Sequence, residues 1–110
     1  MIPDPAPPFE FDTSGLIRER IRRMLHRAAD MGVAPEVERT IAEILTLLIQ
    51  KPREWGDPLR DYRHARFTEY RGQHRHLQCT YVVHQRIPTV VLTHIVTLEG
   101  NPLHGENFDG

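Results

Sequence analysis

The hydrophobic period of the chain changes once along its length, and the change falls at Trp55-Gly56-Asp57-Pro58. Before it, apolar residues recur at helical spacing. Ile17, Ile21, Leu25 and Ala28 follow one another every three or four residues with Met24 beside them, and Val37, Ile41, Ile44, Leu45, Leu48 and Ile49 repeat the pattern. After it, Leu77, Cys79, Tyr81 and Val83 alternate, and residues 89–98 (TVVLTHIVTL) are rich in β-branched side chains. The first spacing lines one face of a helix and the second one face of a strand. Helices followed by strands predict an α+β fold: an N-terminal α-helical hairpin packed on one face of a three- to four-stranded antiparallel sheet.

Local signals set the boundaries. Asp12, Thr13 and Ser14 are helix N-cap types, and Gly32 suits a helix end. Pro35 opens the second helix and Pro52 closes it. Phe9 to Asp12 reads as a short edge strand. Residues 62–71 read as a strand, Gly72-Gln73 as a turn, 74–84 and 89–98 as two further strands. With 110 residues the chain suits one domain. Pro3, Pro5, Pro7 and Pro8 make 1–8 a flexible lead-in, 9–104 the domain, and 105–110 a frayed acidic tail.

Apolar residues at 39% and charged residues at 26% fit a soluble globular chain. No apolar run is long enough to span a membrane, and the N-terminus lacks the pattern of a secretory signal. Cys79 is the only cysteine, so no internal disulfide forms, which fits the cytoplasm. The formal net charge of −1 hides an uneven distribution. Residues 58–98 hold six arginines and five histidines against two acids, while both ends are acidic. Thirteen of the fourteen basic residues are arginine, whose planar fork binds phosphate at two points.

Several chemistries are absent from the sequence. There is no phosphate-binding glycine loop, dinucleotide fingerprint, HExxH or GxSxG. His74 and His76 form only a two-residue pair and Cys79 has no CxxC partner, so neither a metal nor any other cofactor is expected. Cys79 falls in the apolar row and reads as inert core. His94 falls among Val90, Leu92, Val96 and Leu98 and reads as partly buried. What remains is acid–base chemistry by Arg, His and Tyr. RNA cleavage is one such reaction: a base activates the 2′-hydroxyl, an acid protonates the leaving oxygen, and arginines offset charge on phosphorus. The candidates are Arg71, His74, Arg75, Tyr81 and His94 for catalysis, with Arg60, Arg63 and Arg66 tracking RNA. The alternative for the same residues is a solvated strand face with Tyr81 in the core.

The helical hairpin, the proline break before Gly56-Asp57-Pro58-Leu59, the strands, and Gln73-His74-Arg75 leading to Leu77 and Tyr81-Val82-Val83 together resemble the RelE/ParE toxin superfamily of bacterial toxin–antitoxin modules. The resemblance covers about residues 9–104 in architecture. It implies a toxin component acting in the cytoplasm as a metal-independent mRNA endoribonuclease that inhibits translation. It implies an antitoxin protein and mRNA on the ribosome as partners, with self-association as a further option and no membrane. The other branch implies a non-catalytic module of the same fold, a ParE-type gyrase inhibitor or an orphan domain that binds protein.

Overall fold

The computed structural model describes residues 8–108. Strand β1 (Glu10–Thr13) leads directly into helix α1 (Gly15–Asp30), then α2 (Ala34–Gln50), a single turn α3 (Pro52–Trp55), and strands β2 (Asp57–Tyr62), β3 (Phe67–His74), β4 (Leu77–His84) and β5 (Thr89–Thr97). The strands form one sheet in the order β1-β5-β4-β3-β2.

Helix α1 starts where expected because the Ser14 hydroxyl accepts from the Ile17 amide at 3.2 Å. It stops where Gly32 adopts φ +76, in the left-handed region. Ile17, Met24 and Ala28 from α1 and Val37, Ile41, Ile44 and Leu48 from α2 are buried together. They cover one face of the sheet, where Leu77, Cys79, Tyr81, Val83, Val90, Leu92 and Ile95 complete a single core. Burial pushes the Cys79 thiol up to about 12, so it is inert at neutral pH.

The sheet has five strands and is mixed, where three or four antiparallel strands are expected from the sequence. The strand Phe9–Asp12 exists, but it pairs parallel to β5, with Phe11 opposite Val90. β2 runs opposite to β1, and three antiparallel pairings later β5 runs in the same direction as β1 and lies beside it. The extra strand is β2, which begins at the Asp57-Pro58 pair that reads as punctuation. Proline is tolerated there because β2 lies at the sheet edge, where a missing amide donor costs no ladder bond, and a register shift lies between Pro58 and Arg60.

The β3–β4 turn is also displaced. Gly72 lies within β3, where a Cβ would come within 2.8 Å of the Trp55 ring, so glycine is needed for close packing and not for a turn. The turn is Arg75-His76, with φ +47 and +62. Both residues are left-handed, as a two-residue hairpin turn requires, but neither is the Asn or Gly that would announce it.

A register shift in β5 changes which residues face the core. Tyr81 pairs with Leu92 but Thr80 pairs with His94, leaving Thr93 as an extra residue. The Thr93 hydroxyl donates to the Thr80 carbonyl at 3.0 Å. Beyond this bulge Ile95 turns inward and is buried, while His94 and Val96 turn outward. The partly buried His94 expected from strict alternation is therefore exposed. Of the proline-rich lead-in, residues 1–7 lie outside the described residues. At the other end, the tail expected to fray from 105 runs back over α1, and Phe108 is 5% exposed.

Candidate functional site

The sheet face away from the helices carries the alternate residues of the same strands. Register places Asp57 opposite Arg71, Arg71 opposite Thr80, and Thr80 opposite His94. These four form one row across β2, β3, β4 and β5. Strands lie roughly 4.8 Å apart, so the Arg71 and His94 backbones are about 10 Å apart with the Thr80 hydroxyl between them. Arg71 and His94 are exposed and Thr80 is half-buried. Gln73 and Gln78 pair on one side of this row, and Glu69 and Val82 on the other.

Arg60 sits on this face, but its guanidinium is already engaged. Its Nε lies 3.3 Å from a Glu69 carboxylate oxygen, and Glu69 also accepts from the Tyr62 hydroxyl at 3.4 Å. Arg63 and Arg66 lie in the turn joining β2 to β3, with Arg66 at φ +59. That turn is at the opposite end of β3 from Arg75. The eight residues of β3 lie between Arg66 and Arg75, nine steps that span roughly 30 Å of extended chain. His84 caps the β4–β5 loop, its Nδ1 accepting from the amides of Arg86 at 3.0 Å and Ile87 at 3.1 Å. Those bonds leave its neutral-form proton on Nε2.

His74 and Arg75 turn to the helix side. His74 Nε2 is 3.0 Å from one oxygen of Glu43 on α2, and Arg75 Nε is 3.3 Å from the other. The His74 hydrogen bond, followed by the Arg75 charge, holds the Glu43 carboxyl below its ordinary range. Glu43 ties the strained Arg75-His76 turn to α2. No sequence signal singles it out, because it lies on the polar side of α2 and its partners are about thirty residues away.

Tyr81 is 0% exposed and belongs to the core, not to the open face. Its ring is stacked between Trp55 and Tyr70, each 5.5 Å away and within 8° of parallel. Its hydroxyl donates to the Pro52 carbonyl at 2.6 Å and accepts from the Gly56 amide at 2.9 Å. Burial pushes the phenol further up from its ordinary value. Tyr81 thus holds α3 and the start of β2 onto the core. The alternation of Leu77, Cys79, Tyr81 and Val83 predicts this inward place, against the catalytic role also considered for Tyr81.

The structure therefore divides the sequence-level candidates. Arg71 and His94 share a row on the open face, His74 and Arg75 share Glu43 on the other side, and Tyr81 lies between the layers. Among the described residues no three of His, Cys, Asp and Glu converge to hold a metal ion. Among them, too, no helix is long and apolar enough to cross a membrane.

No protein-family model matches the chain. No curated protein matches it either. Among solved structures, it is similar to a chain in the crystal structure of the RelBE2 toxin–antitoxin complex of Mycobacterium tuberculosis, with a TM-score of 0.51 and 20% identity over 86% of this chain and 97% of that one. At that identity the likeness is one of fold, and the fold is RelE-like. The described chain thus has the expected α+β layering of a helical hairpin on one face of a sheet, with a sheet of five strands and not three or four.

Proposed function

We propose that this protein is the toxin component of a toxin–antitoxin pair, and that its open sheet face binds and cleaves RNA in the cytoplasm. The observation that supports this reading is the row Arg71–Thr80–His94 on the uncovered face of a RelE-like fold. Arg71 is the guanidinium that pairs with the scissile phosphate and offsets charge on phosphorus as the 2′-oxygen attacks. His94 is the proton carrier. It takes the 2′-hydroxyl proton as the new P–O bond forms, and returns it to the 5′-oxygen as the old bond breaks. Thr80 donates a hydrogen bond to a non-bridging oxygen. The chemistry draws on protein side chains alone. Arg63 and Arg66 extend the basic surface along the RNA, Arg60 being held by Glu69, and Arg75 acts at a distance by holding the β3–β4 turn. An antitoxin is the expected protein partner, as in the complex that contains the structural relative.

The test is cleavage of single-stranded RNA by purified protein, wild type against His94→Ala, Arg71→Ala and, as a control, Arg39→Ala on the exposed side of α2. His94→Ala should lose roughly 10²–10⁴-fold in rate, the usual contribution of a positioned acid–base group. Arg71→Ala should lose rate and affinity together, and Arg39→Ala neither. Equal rates in all four, or no cleavage by the wild type, would remove the nuclease reading and leave a non-catalytic binding module of the same fold.

A further inference from the structure

Away from Arg71 and His94, towards the β2–β3 turn, the open face becomes aromatic. Strand register sets Tyr62 opposite Phe67 and Phe67 opposite His84, so three rings stand side by side across β2, β3 and β4. Phe67 is four residues from Arg71 along β3, a distance of roughly 13 Å. The Phe67 and His84 rings meet edge to face, 5.1 Å apart at 82°. The His84 ring is itself fixed, because its Nδ1 accepts from the Arg86 and Ile87 amides. Tyr62 is 40% exposed at the sheet edge. None of the three rings belongs to the core cluster on the other side of the sheet.

Arginines gather at the same end. The Gln85 amide donates to the Arg66 carbonyl at 2.8 Å, which closes the β2–β3 turn against the β4–β5 loop. Arg63, Arg66 and Arg86 are exposed on those two segments. Between the rings and the Arg71 row, Arg60 lies opposite Glu69. Their ion pair is made through Nε of Arg60, whose side chain is 65% exposed. A guanidinium held on its Nε side keeps terminal amino groups for a second partner. Its central carbon is 5.9 Å from the Tyr62 ring centre, beyond the roughly 3.5–4 Å of atoms in contact, so it flanks that ring without covering it. Glu69 also accepts from the Tyr62 hydroxyl at 3.4 Å, so one carboxylate fixes both neighbours.

We propose that this end of the open face is a base-binding subsite selective for guanine. The inference rests on the reading of that face as an RNA surface, and adds which base is chosen near the cleaved bond. The base stacks on Tyr62 beside the Phe67–His84 pair. Arg60 donates from its terminal amino groups to O6 and N7 of guanine; adenine carries an amino donor in place of O6 and is rejected. Glu69 is a positioning residue: it sets the Arg60 plane before the base arrives, so less freedom is lost on binding. Arg63, Arg66 and Arg86 meet phosphates of the same strand.

The probes are fluorescein-labelled heptamers of 2′-O-methyl uridine with guanine or adenine at the central position, titrated by anisotropy into the full-length protein. The methyl group removes the attacking hydroxyl, so binding is read without cleavage. The wild type should bind the guanine heptamer about tenfold more tightly than the adenine one, within the range of one bidentate arginine–guanine pair. Hypoxanthine keeps O6 and N7 and should keep the preference, while 7-deazaguanine should lose it. Arg60→Gln should bind guanine and adenine heptamers equally. Tyr62→Ala should weaken both about tenfold through lost stacking and leave their ratio unchanged. Both residues are exposed on an edge strand, and the base analogues decide the matter on the wild type alone. Equal affinity of the wild type for guanine and adenine, or a preference that survives Arg60→Gln or 7-deazaguanine, would overturn the subsite. Cleavage is read separately on ordinary RNA. Guanine preference without cleavage would keep the subsite and remove the nuclease, and cleavage without preference would do the reverse. No binding of any heptamer at low salt would remove both.

Discussion

The two faces of the sheet are built from alternate residues of the same strands, yet one is sealed and the other is open. On β4 the inner set is Leu77, Cys79, Tyr81 and Val83, each at most 1% exposed. The outer set is Gln78, Thr80, Val82 and His84, each half-buried. The inner set is fixed by mutual packing with α1 and α2, so every change there is felt by the whole fold. The outer set is fixed only by strand register, which leaves its side chains available for binding. The contrast makes a prediction: substitutions inside should unfold the chain, and substitutions outside should change what it binds.

The largest effect is expected at Leu48, which is 0% exposed at the centre of α2. Leu48→Ala should cost about 2–5 kcal/mol, the usual sum of lost transfer energy and a residual cavity. Denaturant unfolding should show a lower midpoint with an unchanged slope. Tyr81→Phe should come next. It keeps the ring in its stack but removes the partner of a buried amide and a buried carbonyl. A cost of about 1–3 kcal/mol is expected for leaving such groups unpaired. If Tyr81→Phe were as stable as wild type but inactive on RNA, Tyr81 would belong to the site and not to the core.

The same contrast explains what could be read in the sequence. The inner face was legible because burial enforces its pattern: the stripes of α1 and α2 and the alternation of β4 mark residues that are buried. Ser14 and Gly32 marked the ends of α1 by hydrogen bonding and by φ, which are local properties. The outer face is subject to no such rule. β2 carries no strand signal because all six of its residues are exposed and it contains proline. The bulge at Thr93 was invisible because alternation carried through it puts His94, Val96 and Leu98 inward, which their apolar company made plausible. The Arg75-His76 turn has left-handed residues without the usual residue types, held by Glu43 far away in sequence. The row Arg71–Thr80–His94 therefore needed the register before it could be recognised.

On the outer face, Arg71→Ala and His94→Ala should change stability by no more than about 0.5 kcal/mol, as surface substitutions usually do. Their effect should appear in RNA binding. Each phosphate contact contributes about −0.7 to the slope of log K against log salt for a single strand. Arg71→Ala should make the slope shallower by about that amount, while His94→Ala should leave it unchanged at a pH where the imidazole is neutral. A slope equally altered by Arg39→Ala would mean that the protein's general charge, not the row, holds RNA.

The smallest effect concerns the junction of the two faces, where Glu43 holds His74 and Arg75. Its carboxyl is held below the ordinary value of 4.5 by the His74 hydrogen bond and the Arg75 charge. A carboxyl with a lowered folded-state pKa is more often protonated in the unfolded chain across the interval between the two values. The bond therefore contributes stability above the ordinary value and loses it as pH falls through the folded value. Glu43→Gln removes that dependence. The variant should be slightly less stable than wild type at pH 7, and the difference should shrink as pH is lowered from about 5 towards 3, across the ordinary glutamate range. Thermal melts of both proteins over that interval give the comparison. Parallel pH profiles would show that Glu43 does not anchor the turn, and that the left-handed Arg75-His76 pair is held by β3–β4 pairing alone.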